Sequence, residues 1–145
     1  MDRHAIHQFL VSSYWAQGIP FEILDKALDN SLCFGVFRGG KQVGFGRVIT
    51  DSATFAYLAD VYVLEAHRGL GLSKKLMSMI VAHPQLQGLR RMLLATRDAH
   101  HLYRQFEFVP VPNPESLMQR WDPQIYMKAA GKQDDIGLTA ELKAR

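Results

Sequence analysis

Arg68-Gly69-Leu70-Gly71-Leu72-Ser73 joins a strand-like run, Tyr57 to Val63, to a helix-like run, Lys74 to Val81. A turn with two glycines at a helix start is suited to holding phosphate. Gly71 permits backbone conformations and close approaches that a side chain would block. The first N–H groups of a helix have no intrahelical partner, and the same end carries partial positive charge. A pyrophosphate placed there meets both features. Arg68, Lys74 and Lys75 add full positive charges close by.

Three phosphate-binding patterns compete for this stretch. A Walker A loop needs Gly-x-x-x-x-Gly-Lys-Ser/Thr, and that string is absent. A Rossmann fingerprint needs a third glycine where Lys74 stands. The third pattern fits: Arg68-x-x-Gly71-x-Ser73 resembles the Arg/Gln-x-x-Gly-x-Gly/Ala signature of the GCN5-related N-acetyltransferases, with Ser73 as a small-for-small departure. A helix-capping turn would explain the string alone, but its surroundings add to the likeness. Ala99, Leu102, Tyr103 and Phe108 match the family's late Ala-x-x-Leu-Tyr-x-x-x-Gly-Phe element, and Tyr103 follows Arg68 by thirty-five positions, as is typical of the family. Val61-Tyr62-Val63 matches its cofactor-facing strand. Two departures stand out. Glu107 occupies the usual glycine, so the turn after the last helix is expected to differ. Thr96 replaces an asparagine that often touches coenzyme A. The likeness runs from about Phe34 to Phe108.

A chain of 145 residues, 48% hydrophobic and 21% charged, can bury a core within one domain. No run approaches a membrane span, and Met-Asp-Arg-His-Ala lacks the apolar stretch of a signal peptide. With a single cysteine, Cys33, no internal disulfide framework forms. These features together read as a cytosolic chain. Net charge is only +3. The basic residues cluster near the glycine turn and again at Arg90, Arg91, Arg97 and Arg104. An anionic cofactor accounts for part of this, and the absence of a docking motif disfavours a nucleic-acid module.

Apolar residues at Ile6, Phe9, Leu10 and Tyr14 predict a helix over about Asp2 to Trp15. Gly18 and Pro20 break it, and Pro20 suits the start of a second helix containing Ile23, Leu24, Ala27 and Leu28. Leu32 to Phe37 and Val43 to Ile49 form a hairpin about Gly39-Gly40. A third strand is expected from about Thr54 to Val63, then a helix from Leu70 to His83, ended before Pro84. Arg91 to Thr96 reads as a strand, Ala99 to Phe106 as a short helix, and Ile125 to Lys128 as an edge strand. The pattern implies an α/β (α+β) fold. The resemblance refines this to a mixed, mostly antiparallel sheet flanked by helices. The family's first strand is expected to be absent, because the chain starts at the helix. Residues 1–145 read as one domain, with a mobile polar tail over 131–145.

Acetyl transfer from a thioester to an amine needs a neutral amine, a close approach, an oxyanion donor and a proton for the leaving thiolate. By resemblance, Tyr103 is the candidate general acid, with packing of its helix as the competing role. Val63 is the candidate oxyanion donor through its backbone N–H, and Val61 also meets the cofactor. Gly69, Leu70, Gly71, Leu72 and Ser73 cradle the pyrophosphate, with Arg68 beside them and Lys74 or Lys75 near the ribose phosphate. The glutamate that some members use as base falls at Tyr57. Asp60 is the remaining carboxylate on that strand, but three residues on it should face the opposite way. A structural hydrogen bond would explain it equally. Tyr14 and Trp15 are candidates for an acceptor wall, with core packing as the alternative, and Glu22 could bind a cationic amine. The loop from Pro110 to Trp121 could add a second wall. His4, His7, His100 and His101 read as solvated, and no metal site is expected.

The resemblance thus implies an N-acetyltransferase that uses acetyl-CoA as cosubstrate. The acceptor could be a small-molecule, peptide or protein amine. A non-catalytic acyl-CoA sensor and a basic nucleic-acid module are the rivals. The sequence leaves the oligomeric state open, a homodimer included.

Overall fold

Asp2 opens the first helix, α1 (Arg3–Leu10), by accepting the Ala5 N–H on its side chain at 3.0 Å. The computed structural model describes residues 1–130, so the tail expected over 131–145 lies outside the described residues. After α1 come α2 (Phe21–Asp29), β1 (Leu32–Arg38), β2 (Lys41–Thr50), β3 (Phe55–Val63), α3 (Leu72–Val81), β4 (Arg91–Leu93), α4 (His100–Arg104) and α5 (Ile125–Ala130). The strands form one sheet in the order β1-β2-β3-β4. The first three are antiparallel, and β4 joins β3 in parallel. The mixed sheet flanked by helices agrees with the expected fold, and no strand precedes α1 among the described residues.

Each face of the sheet has its own core. Ile6, Leu10, Leu24 and Leu28 from α1 and α2 pack with Phe45 and Tyr62. On the other face, Leu76, Met77 and Ile80 of α3 pack with Phe34, Val48, Ala56 and Leu58, and Tyr103 of α4 joins them. Two glycines of β2 permit close contacts, Gly44 with the flanking strands and Gly46 with α3. A Cβ at Gly44 would come within 3.2 Å of the Tyr62 carbonyl, and one at Gly46 within 3.2 Å of the Ile80 side chain. The hairpin turn matches expectation, with positive φ at Gly39 and Gly40.

Four local expectations need correction. The first helix stops at Leu10 rather than Trp15. There the Ser12 and Ser13 hydroxyls donate to the Phe9 and Leu10 carbonyls, and the chain turns away. His4 and His7 pack rather than face solvent alone. The His4 ring stacks on Phe21 at 4.7 Å, and His7 Nε2 donates to the Ile19 carbonyl at 2.8 Å. The strand from Arg91 is shorter than expected, ending at Leu93. Ile125 begins a helix, not an edge strand. Asp122 accepts the Gln124 N–H and pairs with Lys128 at 2.8 Å, closing that turn. The Asp122-Pro123 pair is an ordinary helix-start signal, and it outweighs the strand-like composition of Ile125 to Lys128.

Candidate active site

Parallel pairing between β3 and β4 covers only Phe55–Tyr57 against Arg91–Leu93. Beyond Tyr57, β3 runs on to Val63 while β4 has ended, so the sheet splays open. A cavity of about 840 Å³ fills the gap and runs beneath the α1–α2 linker. Backbone groups at its floor follow from register. Leu64 N donates to the Val43 carbonyl at 2.8 Å. N–H groups alternate sides along an antiparallel strand, so the Val63 amide points away from β2 and into the gap. Consistent with this, Arg68 Nε donates to the Val63 carbonyl at 3.0 Å.

A bulge sets which side chains line the cavity. Phe45 pairs with Tyr62 and Arg47 with Ala59, leaving Asp60 and Val61 opposite Gly46 alone. Asp60 takes the left-handed conformation, φ +57°, which aspartate tolerates better than most residues. Its carboxylate therefore turns to the face of Arg47 and the α1–α2 linker, the face Tyr57 also occupies. The expectation that Asp60 and Tyr57 lie on opposite faces is thus overturned, because the extra residue resets the alternation. It also moves Tyr62 to the face opposite Leu58. Both Asp60 oxygens are engaged: Arg47 Nε donates to Oδ2 at 2.7 Å, and Trp15 Nε1 to Oδ1 at 2.9 Å. The pair is largely buried, with side-chain exposures of 16% for Arg47 and 8% for Asp60. Burial, with the charges of Asp2 and Asp60, pushes the nearby Tyr62 phenol up to about 12.

Tyr103 is buried and lines the cavity from α4. Burial chiefly, then Tyr14 and Asp98, raises its pKa, so the phenol holds its proton at neutral pH. No described residue hydrogen-bonds the hydroxyl. The turn after α4 corrects another expectation. Glu107 adopts φ +69°, the conformation a glycine would take, so the bend has the glycine-type geometry despite the substitution. Thr96 lines the cavity and accepts the Ala99 N–H on its hydroxyl at 3.0 Å.

At the other end of the gap, Gly71 is the N-cap of α3, with φ +77° and no side-chain cap. A Cβ at Gly69 or Gly71 would meet nothing within 4 Å, so positive φ and open space, not packing, define these positions. The first turn of α3 has no acidic residue. Lys74 and Lys75 stand there, and cations at a helix N-terminus repel its dipole. An anion bound at this end would offset that repulsion, so the local charges suit a pyrophosphate.

Of the residues singled out from sequence, Tyr14, Trp15, Asp60, Val61, Val63, Arg68, Ser73 and Tyr103 all line this cavity. Gly69, Leu70, Gly71, Leu72 and Lys74 flank its mouth through the turn and the start of α3. Glu22 does not join them; it is exposed on the first turn of α2. The Pro110–Trp121 loop is also displaced. Pro110 and Pro112 line a separate cavity of about 620 Å³ beside β4, and Trp121 is 71% exposed. Tyr126 of α5 supplies the far wall instead. The sequence does not signal this position, because Ile125 to Lys128 reads as a strand.

The model of the acetyltransferase (GNAT) family matches residues 3–108. The chain belongs to the GNAT acetyltransferase family. A GNAT-family protein from Xanthomonas campestris pv. campestris has 54% identity and a TM-score of 0.84, with 87% of this chain and 89% of that one covered. A Gibberella zeae protein with an acetyltransferase name is 36% identical, and the match spans 62% of this chain and 62% of that relative's own length. Rv2747 from Mycobacterium tuberculosis, solved in complex with CoA, shares the fold at 22% identity and a TM-score of 0.60, covering 76% of this chain and 68% of that one. Among the described residues, no helix is long and apolar enough to cross a membrane.

Proposed function

We propose that this chain transfers an acetyl group from acetyl-CoA to a primary amine by direct attack. The observation that carries the reading is the gap between β3 and β4. It brings the Val63 amide and the Tyr103 hydroxyl into one cavity that ends at the uncapped N-terminus of α3. Acetyl-CoA supplies an activated acyl group on a thioester. The amides of about Gly69 to Ser73 hold its pyrophosphate, and Arg68 and Lys74 add charge. The Val63 N–H donates to the carbonyl oxygen as negative charge develops there. The acceptor nitrogen forms its bond to the acyl carbon as the carbon–sulfur bond breaks, and the Tyr103 hydroxyl protonates the departing sulfur. The proton lost by nitrogen leaves through water and restores the phenol. The aromatic residues Tyr14 and Trp15 wall the acceptor side.

Asp60 is the candidate base that the geometry serves least. Both its oxygens already accept charged or aromatic donors, so its role in this reading is to hold Trp15 and Arg47 in place. The same commitment is what favours the second reading, an acyl-CoA sensor without transfer. Two measurements separate them: calorimetric binding of acetyl-CoA, and thiol release across a panel of amines. Release that depends on an acceptor supports transfer. Saturable binding with no release across small and peptide amines supports the sensor. No binding at all refutes both.

A further inference from the structure

Three arginines line the cavity, and two are committed. Arg47 binds Asp60 and Ser31, and Arg68 binds the Val63 carbonyl. Arg97, in the loop between β4 and α4, is different. Its guanidinium carbon lies 3.8 Å from the centroid of the Tyr14 ring. No described residue forms a hydrogen bond or an ion pair with it. Stacking on an aromatic face fixes the guanidinium plane but leaves its in-plane N–H donors free. Such a fork matches a planar carboxylate through two parallel hydrogen bonds.

Its position ties it to the acceptor side. Tyr14 belongs to the α1–α2 linker, on the face opposite α3 and its glycine turn. Tyr14 meets Trp15 edge-on at 5.1 Å, and Trp15 binds Asp60, so the stack continues the cavity wall. Tyr14, Arg97 and Tyr103 line the same cavity, which puts the stack on the chamber that holds the candidate acid. The adjacent Asp98 lines the same cavity. Its charge offsets that of Arg97, which disfavours a dianionic phosphate and suits a monoanion that carries an amine.

We propose that Arg97, stacked on Tyr14, selects amine acceptors that bear a carboxylate, the class of amino acids with an apolar or aromatic side chain. The apolar requirement comes from Phe9, Trp15, Tyr57, Tyr62 and Tyr126, which line the rest of the chamber. The inference rests on the acetyltransferase reading, so its test uses binding rather than turnover.

Matched pairs, phenylalanine against phenethylamine and tryptophan against tryptamine, are titrated into the full chain, free and CoA-saturated. The carboxylate-bearing member should bind at least about tenfold more tightly, the scale of hydrogen bonds to charged groups. Arg97→Met, which keeps the stem over Tyr14, should abolish that preference while acetyl-CoA affinity stays within about twofold. Arg97→Lys should recover only part of it, since the fork is lost. A melting curve confirms that each variant is folded. Equal binding of the pair members, no binding of either, or a preference that survives Arg97→Met overturns the proposal. So does a loss of acetyl-CoA affinity in Arg97→Met with the preference intact, because the arginine then serves a cofactor phosphate. Failure of acetyl-CoA to bind the unmodified chain refutes the acetyltransferase reading instead, and the pair preference in the free protein still decides the role of Arg97.

Discussion

Replacing Asp60 by Asn tests whether the bulge is held by the buried ion pair. Asparagine keeps the size of the side chain and tolerates positive φ, so the backbone at φ +57° is not the target. Its carbonyl can still accept from Trp15 Nε1. What is lost is the charge opposite Arg47, at a site where the two side chains are 8% and 16% exposed. Breaking a buried pair from one side costs about 3–5 kcal/mol, because the remaining charge is left without its partner. Two features lower this figure. Arg47 retains the Ser31 hydroxyl at 3.1 Å, and both residues are only part-buried where they line the cavity. We expect a loss of about 2–4 kcal/mol. With a urea dependence of about 2 kcal/mol/M, the unfolding midpoint falls by about 1–2 M. Adding Arg47→Met should recover much of the loss, since the orphaned charge is then removed. Non-additivity of about 1–3 kcal/mol in that cycle is the specific signature of the pair. A single-variant loss below about 1 kcal/mol, or strictly additive effects in the cycle, would refute the reasoning. Asp60→Ala should cost about 1 kcal/mol more than Asp60→Asn, because alanine resists the left-handed conformation.

Tyr103→Phe should lower kcat by about 10²–10⁴-fold, the range for a positioned acid, with acetyl-CoA affinity retained by calorimetry. Because burial raises the Tyr103 pKa, the loss of activity that its deprotonation causes should lie above the ordinary tyrosine value of about 10, and a pH–rate profile reads this directly. Glu107→Gly should stabilise the chain by about 0.5–1 kcal/mol in urea melts: relief of a positive φ outweighs the added freedom of the unfolded chain. The Asp51 carboxylate accepts the Thr54 hydroxyl and the N–H groups of Ala53, Thr54 and Phe55, which depress its pKa. Its contribution is fully present above the unfolded value of about 3.9 and is lost as pH falls through the lower folded value. Melts of Asp51→Asn should therefore lose part of the acid sensitivity between about pH 4 and pH 2.

The elements legible from sequence were those whose signals are local. The Gly39-Gly40 hairpin needs only residues that accept positive φ at adjacent positions, and both do. The turn from Arg68 to Ser73 is equally local: the glycine at the helix cap and the lysines of the first turn lie within eight consecutive residues, Arg68 to Lys75. The spacing from that turn to Tyr103 points to α4, whose Tyr103 lines the same cavity. Elsewhere, local side-chain bonds override the apolar pattern. Ser12 and Ser13 ended α1 by bonding back to its carbonyls, a competition that apolar periodicity does not register. Ile125 reads as strand by composition and became helix through Asp122 and Lys128.

Asp60 marks the boundary most clearly. Strand alternation assigns it a face, and that assignment is wrong because β3 must bury Leu58 against α3 and Tyr62 against α1 and α2. Two residues of the same parity can face opposite layers only if one extra residue enters the strand, and the bulge opposite Gly46 supplies it. Arg97 is similar: in the sequence it is one basic residue among many, and only the return of the α1–α2 linker over the sheet places Tyr14 beneath its guanidinium. By itself the sequence determined the turns, the order of helices and strands as far as α4, and the glycine-capped start of α3, because these are set by contacts between near neighbours. The tertiary structure decided which side chains face the cavity and which charges are already paired, because both depend on how two separate layers pack on one sheet.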